Sequence, residues 1–380
     1  MLHRTVPESS APSYAPFTTV DFLIDARGRK LMKNSIRIEG TINASTNTNQ
    51  AVPVAAADVV TFDSNVKLDN CVGAHAFFDS WTCETEQRGV QETLMNYPRA
   101  VSMMARASLA QDDMLDSALL AECRGPSEIN GNYVLQPIID NSFVAGAAVI
   151  PGDRTSPAFS LKPMIMWNRS GGGEYSFDRN GWIRISCILA PNTSAMFGGA
   201  GTQTYTLSDL ACRFQTVEDD GIVAPLLMKS YVNVVSSVQS TATSISARVP
   251  SQSVNAVAIS FVEQANIRDP LKNSYALETF QKFSSIEFLF ANTAQNFLTY
   301  TVDDQSEAIQ FGLDALDSDG HTQVSSKTLK ANQGYLLGLN FSEFVDLSQQ
   351  KFTCNLNSNY PLITSKPLDA HLYFQTLINM

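Results

Sequence analysis

Four histidines, His3, His75, His321 and His371, carry whatever imidazole chemistry the chain can do. A general base or a metal centre needs such a ring beside carboxylates or thiolates at workable spacing. None of the four offers that in sequence. His3 lies among the first residues, His371 alternates with Leu372 and Phe374 on a strand-like run, and His321 follows Asp319-Gly320 in a turn. A cleft that gathered His75 or His321 with acids would mark a catalytic centre. The six cysteines, Cys71, Cys83, Cys123, Cys187, Cys212 and Cys354, form no C-x-x-C pair and have no histidine pair at ligand spacing. They read as small buried apolar residues. The pairs Asp219-Asp220 and Asp303-Asp304 sit in turn-like sequence, where adjacent acids ordinarily face water. Gly171-Gly172-Gly173 lacks the following helix that a phosphate loop requires, and no G-x-S-x-G, H-E-x-x-H or Walker pattern occurs. The expectation is no catalytic residue, no metal and no cofactor. A rival is a surface binding site for carbohydrate or a receptor: Trp167, Tyr175 and Trp182 lie near the triple glycine, although Trp182 opens a strand and reads as core.

The elements that would position these groups are strands. Of 380 residues, 44% are hydrophobic and only 17% charged, so Ser, Thr, Asn and Gln must supply the polar surface, a mix that suits β structure. Ile36, Ile38 and Ile42 alternate with Arg37 and Glu39; Ile183, Ile185, Cys187 and Leu189 alternate with Arg184 and Ser186. The same period of two recurs at Leu210–Phe214, Val257–Phe261, Ile286–Phe290, Phe352–Leu356 and Ala370–Phe374. Turn signals such as Asn130-Gly131, Pro151-Gly152-Asp153, Asn180-Gly181 and Asp219-Asp220-Gly221 separate the runs. Helical pattern is local: Gln91 to Ser108 with Pro98 as an interruption, Asp112 to Glu122, and Ser306 to Leu316. Residues 1–20, rich in Pro, Ser and Thr, read as an extended arm without periodicity, and Arg27, Arg29, Lys30 and Lys33 as a solvated basic turn. The net charge of −11, with 26 scattered Lys and Arg, argues against direct sequence-specific nucleic-acid binding. No apolar run is long enough to span a bilayer, and the N-terminus has no secretory pattern, so synthesis in the cytoplasm is expected.

A weak internal repeat organises these strands. Leu207-Ser-Asp-Leu-Ala-Cys-Arg-Phe-Gln-Thr216 matches Pro367-Leu-Asp-Ala-His-Leu-Tyr-Phe-Gln-Thr376 at Asp209/Asp369, Phe214/Phe374, Gln215/Gln375 and Thr216/Thr376, at an offset of 160 residues. Each copy follows another alternating strand and ends its half. The stretch around Phe77-Phe78-Asp79-Ser80-Trp81 and the stretch Ile286 to Phe290 both precede a polar turn and a helix-like run. The first half then carries about 47 extra residues, placed as an insertion at about 110–160. The division expected is an arm at 1–20, a first jelly roll at 21–220 with that insertion, and a second at 221–380, joined near 217–228. The fold class is all-β, two tandem jelly-roll sandwiches with a few short helices in connections.

Two such sandwiches of low charge resemble the double jelly-roll major capsid proteins of tailless icosahedral DNA viruses. The resemblance is carried by the run from Asp79 to Thr85 through Gly89-Val90 into Tyr97, and by Ile286 to Ala294 in the second half. It implies a structural protein of a virion shell that assembles as a homotrimer, a pseudo-hexamer, in contact with neighbouring capsomers. Penton or minor capsid proteins and an internal membrane are further implied partners. The resemblance brings no catalytic residues. Low charge density fits lateral contacts that bury surface without stranding ions, and the arm is expected to reach a neighbour or the inner face of the shell.

Overall fold

The computed structural model describes residues 1–45, 67–108, 121–124, 133–134, 158–169, 174–198, 203–222, 227–238, 244–249, 253–267, 269–277, 285–291, 296–302, 305–317, 336–346, 351–357 and 367–379. The first half contains β1 (Leu2–Thr5), β2 (Thr19–Ile24), β3 (Arg29–Leu31), β4 (Arg37–Ser45), β5 (Lys67–Leu68) and β6 (Phe78–Thr85). It continues with β7 (Gly89–Leu94), β8 (Tyr133–Val134), β9 (Ala158–Leu161), β10 (Tyr175–Ser176), β11 (Ile183–Leu189) and β12 (Thr204–Glu218). The second half contains β13 (Leu227–Val238), β14 (Ser244–Arg248), β15 (Ser253–Glu263) and β16 (Ser285–Ala291). It ends with β17 (Asn296–Val302), β18 (Leu336–Asp346), β19 (Lys351–Asn357) and β20 (Leu368–Asn379). Two longer helices, α1 (Tyr97–Ser108) and α2 (Gln305–Asp317), each follow a hairpin, β6–β7 and β16–β17.

The sheets of the second half run β13-β20-β15-β18 and β14-β19-β16-β17, all antiparallel. Counted within that half, these are strands 1-8-3-6 and 2-7-4-5. The first half repeats the order: β12 lies between β4 and the edge formed by β1 and β3, β4 pairs β9, and the facing sheet runs β2-β11-β6-β7. Phe214 and Phe374 fall on β12 and β20, the last and equivalent strand of each half. Each points inward, opposite His3 on β1 or Val232 on β13. The alternating residues fill the core as the period of two requires, with Phe22, Trp81, Ile183 and Ile185 in one half. Phe288, Phe352 and Phe374 serve in the other, with ring pairs at 6.2 and 5.8 Å.

Two expectations are corrected. The extended arm expected at 1–20 begins as part of a sheet: residues 2–5 are β1, paired with β12 from Leu2↔Gln215 to Thr5↔Cys212, and so form the first strand of the first sandwich. The amino terminus donates to the Thr216 carbonyl, the His3 ring stacks on Phe214 at 4.9 Å, and Tyr14 is buried. Pattern reading missed this because β1 turns a histidine and a threonine inward, so no apolar alternation marks it. Pro98 does not interrupt a helix. Gly89–Leu94 is a strand, and Pro98 is the second residue of α1, in the first turn, where no intrahelical donor is lost. The proposed insertion lies almost entirely outside the described residues, as does most of the helix expected at 112–122.

Candidate functional site

The two sandwiches meet along a polar seam. Its first-half side is β7, α1 and residues 165–169; its second-half side is β13, β20 and residues 273–275. Glu92 is in phase with Leu94 on β7, which turns its carboxylate inward, and it is 2% exposed. Oε1 accepts from Arg169 Nη1 at 2.7 Å and from the Ser230 hydroxyl of the other half at 2.6 Å; Oε2 accepts from the Met166 amide at 2.8 Å. Arg169 also donates to the Lys229 carbonyl at 2.8 Å, and its guanidinium lies 4.9 Å from the centre of the Tyr231 ring. A buried ion pair recovers its desolvation cost only when its lone pairs and protons are satisfied in this way. The pair therefore stitches β7 to β13.

A second cluster surrounds Asp69. One oxygen accepts from the amides of Cys71 and Val72, the other from Arg106 of α1 and from Asn273 Nδ2 of the second half at 2.6 Å. Further along, Asn96 donates to the Asn233 side chain at 2.8 Å and its carbonyl accepts from the Tyr373 hydroxyl at 3.4 Å. Arg99 donates to the Ser274 carbonyl and Ser102 to the Tyr275 carbonyl, both at 2.7 Å. A small crevice opens on the seam between Tyr97, Arg169, Tyr231, Asn233 and Tyr373.

His75 is the one predicted histidine that meets an acid among the described residues. Its Nδ1 lies 2.6 Å from the Tyr97 hydroxyl and its Nε2 3.1 Å from Glu122, which also pairs with Arg124 and accepts from the Lys162 amide. Burial, then Arg124, lowers the His75 pKa against the pull of Glu122. Burial alone would raise Glu122, but His75, Arg124 and the Lys162 amide bring it to about 2. The order tyrosine, histidine, carboxylate resembles a proton relay. However, His75 is 1% exposed, and the group ties the turn before β6 to α1 and to the segment that follows β9.

The other expected groups are scattered. His3 reaches Thr216 Oγ1 at 2.8 Å, and His371 lies on β20, 3% exposed, with burial and then Arg99 lowering its pKa to about 3. His321, Asp303-Asp304, Asn130-Gly131, Pro151-Gly152-Asp153 and Gly171-Gly172-Gly173 lie outside the described residues. Asp219 and Asp220 do not simply face water: both hold Lys30, which is buried rather than part of a solvated turn. All six cysteines are buried, and none is in a disulfide. Among the described residues no group of three or more His, Cys, Asp or Glu side chains has metal-holding geometry, and no helix is long and apolar enough to cross a membrane. Trp167 and Tyr175 are buried edge to face at 6.2 Å, which removes two of the three rings a sugar would stack on. Trp182 corrects its expected core position: it precedes β11, is half-buried, and lies under the Arg184 guanidinium. Glu92 and Arg169 were not singled out from sequence; the available signal was an acid in phase with Leu94 on an otherwise ordinary strand.

No family model matches the chain, and no curated protein matches it. Solved structures do. The Faustovirus major capsid protein aligns over 100% of this chain and 90% of its own, at a TM-score of 0.57 and 12% identity. PBCV-1 VP54, fitted into a reconstruction of the virophage Sputnik, aligns over 100% and 94% at 0.58 and 9%. The mavirus major capsid protein aligns over 100% and 90% at 0.50 and 8%. With its own strand order repeated in both halves and these alignments running end to end, the chain has the double jelly-roll fold.

Proposed function

We propose that the chain is a structural subunit of an icosahedral viral capsid, assembling as a homotrimer that presents six similar sandwiches as a pseudo-hexamer. The observation that carries the reading is the repeated strand order on either side of one buried seam, in a chain that aligns along its whole length with major capsid proteins. Three copies about a threefold axis make a near-hexagonal block that tiles a closed shell. In this reading the chain is not an enzyme and uses no metal or cofactor. It divides near residues 217–228, between β12 and β13. Its partners are its own copies and neighbouring capsomers, with penton or minor capsid proteins and an internal membrane beyond them. It is made in the host cytoplasm and resides in the virion. The buried Trp167 and Tyr175 give the carbohydrate-binding alternative no support. Native mass measurement in mild buffer, with negative-stain imaging, tests the proposal. Particles of three chains with a near-hexagonal outline are expected; a monomer that never associates across concentration would sink it.

A further inference from the structure

Three arginines stand side by side on the outer face of the first sandwich. Arg4 on β1 is directly opposite Arg213 on β12, and Arg213 is directly opposite Arg37 on β4. All three point away from the core, since His3, Phe214, Ile36 and Ile38 point into it. Lys162, one residue beyond the Leu161↔Ile38 pair, is close enough for Arg37 to act on its charge. Neighbouring strands lie about 5 Å apart, and like charges directly opposite one another are destabilising. Arg213 has Glu39 at 2.7 Å, whereas Arg4 and Arg37 form no ion pair among the described residues. In a chain of net charge −11, Glu39 is the one acid paired with this row among the described residues.

The second sandwich indicates what covers this face. By register, Arg213 corresponds to Tyr373, Arg4 to Asn233 and Arg37 to Ala258. Tyr373 is 1% exposed, and both it and Asn233 are bonded by Asn96, which directly precedes α1. Arg99, third in α1, lies against the same face and acts on both Tyr373 and His371. A ring of six similar sandwiches repeats this contact between copies, with the start of α2 in the role of the start of α1. The charges invert to suit: α1 carries Arg99 and Arg106 and no acid, whereas α2 carries Glu307, Asp314 and Asp317 and no base. Glu307 is third in α2 as Arg99 is third in α1.

We propose that the N-terminal end of α2 of one copy, carrying Glu307, seats on the Arg4–Arg213–Arg37 row of the next copy. This rests on the trimeric capsid reading and names its contact. It turns the neutral Asn and Tyr contacts of the internal seam into an acid-on-arginine contact between chains, which favours one order of sandwiches around the ring.

The test is charge reversal in the full chain, read by native mass against concentration. Arg213→Glu and Glu307→Arg should each raise the concentration at which half the chains are trimeric by about 10-fold or more. The double variant R213E/E307R should return it to within about threefold of the parent. Unchanged thermal unfolding of the monomer separates assembly from folding, and Arg213→Gln with Glu307→Gln serve if a reversed charge fails to fold. A parent that trimerises while single reversals leave its midpoint unchanged, or a double variant that shows no recovery, overturns this contact and leaves the trimer standing. A parent that stays monomeric overturns the capsid reading itself. If Arg213→Glu keeps the trimer but loses binding to vesicles containing anionic lipid, the row faces a membrane and the proposal fails.

Discussion

β12 and β20 close their sandwiches in the same way and share Phe, Gln and Thr at three consecutive positions, yet their outer faces live in different surroundings. On β20, Tyr373 and Gln375 are 1% and 0% exposed because the first sandwich lies over them. Gln375 accepts from Asn255 Nδ2 at 2.8 Å and donates to the Tyr231 hydroxyl at 3.2 Å. On β12, Arg213 and Gln215 are exposed. The inward residues match in role: Phe214 and Phe374 fill cores, and Thr216 and Thr376 are both buried and bonded, to His3 and to the Ser230 carbonyl. The core fixes the repeated residues in both halves. The outer face is free to differ, and its composition records whether this chain covers it or leaves it open.

The largest effect is expected where the seam is held by charge. Glu92→Ala leaves Arg169 buried without its acid, and the Ser230 hydroxyl without its acceptor, which should cost about 3–5 kcal/mol in urea unfolding. E92L/R169M, which removes both charges, should recover most of that loss. A single variant within about 0.5 kcal/mol of the parent would show that the seam does not depend on the pair.

Acid should act next, and unevenly. His371, against Arg99 in the seam, has a folded pKa of about 3, while an unfolded histidine titrates near about 6.5. Above about pH 6.5 neither state holds the proton and stability is unaffected. Below it only the unfolded chain takes the proton, so stability falls with pH by roughly 1.4 kcal/mol per unit until the folded ring itself protonates. His3 and His75 are shifted in the same direction. Glu122, with a folded pKa of about 2, starts to cost stability only below the ordinary glutamate range, about 4.3. His371→Leu should therefore flatten the decline in unfolding midpoint between pH 6.5 and 5. A slope equal to the parent's would mean that this ring is solvated in the native state.

How much of this was legible depends on which face carried the signal. Strands with one apolar face, such as β11 and β12, declared themselves through Ile183–Leu189 and Leu210–Phe214, and the match at Phe214 and Phe374 placed two equivalent last strands. β1 was silent because its inward residues are His3, which stacks on Phe214 and bonds Thr216, and Thr5, which faces Cys212, all more than 200 residues away. The seam was silent for a related reason. Glu92, Arg169 and Asp69 are ordinary surface residue types until the fold brings two halves together, and no local period encodes that meeting. Deleting residues 1–5 checks the β1 assignment. It should destabilise the first sandwich by roughly 2 kcal/mol through lost β1–β12 hydrogen bonds, with faster amide exchange in β12 and none of that change in β20. Normal exchange in β12 would return these residues to the role of an arm.

The smallest effect is also the most direct test of the comparison, because it changes one residue type at one equivalent position. Gln375→Ala removes the acceptor of the Asn255 amide and a donor to the Tyr231 hydroxyl within the seam, and a buried polar group that loses its partner costs about 1–3 kcal/mol. Gln215→Ala removes an exposed side chain, and substitutions at such sites stay within about 0.5 kcal/mol. In the monomer the two should differ by at least about 1 kcal/mol in unfolding free energy. In the assembled trimer the gap should narrow, because a neighbouring copy then covers the outer face of β12 as the first sandwich covers that of β20. Measuring both variants below and above the association midpoint separates the cases. A gap that is the same at both concentrations would mean that the outer face of β12 stays open to water in the assembly, and that the likeness of the two halves ends at their cores.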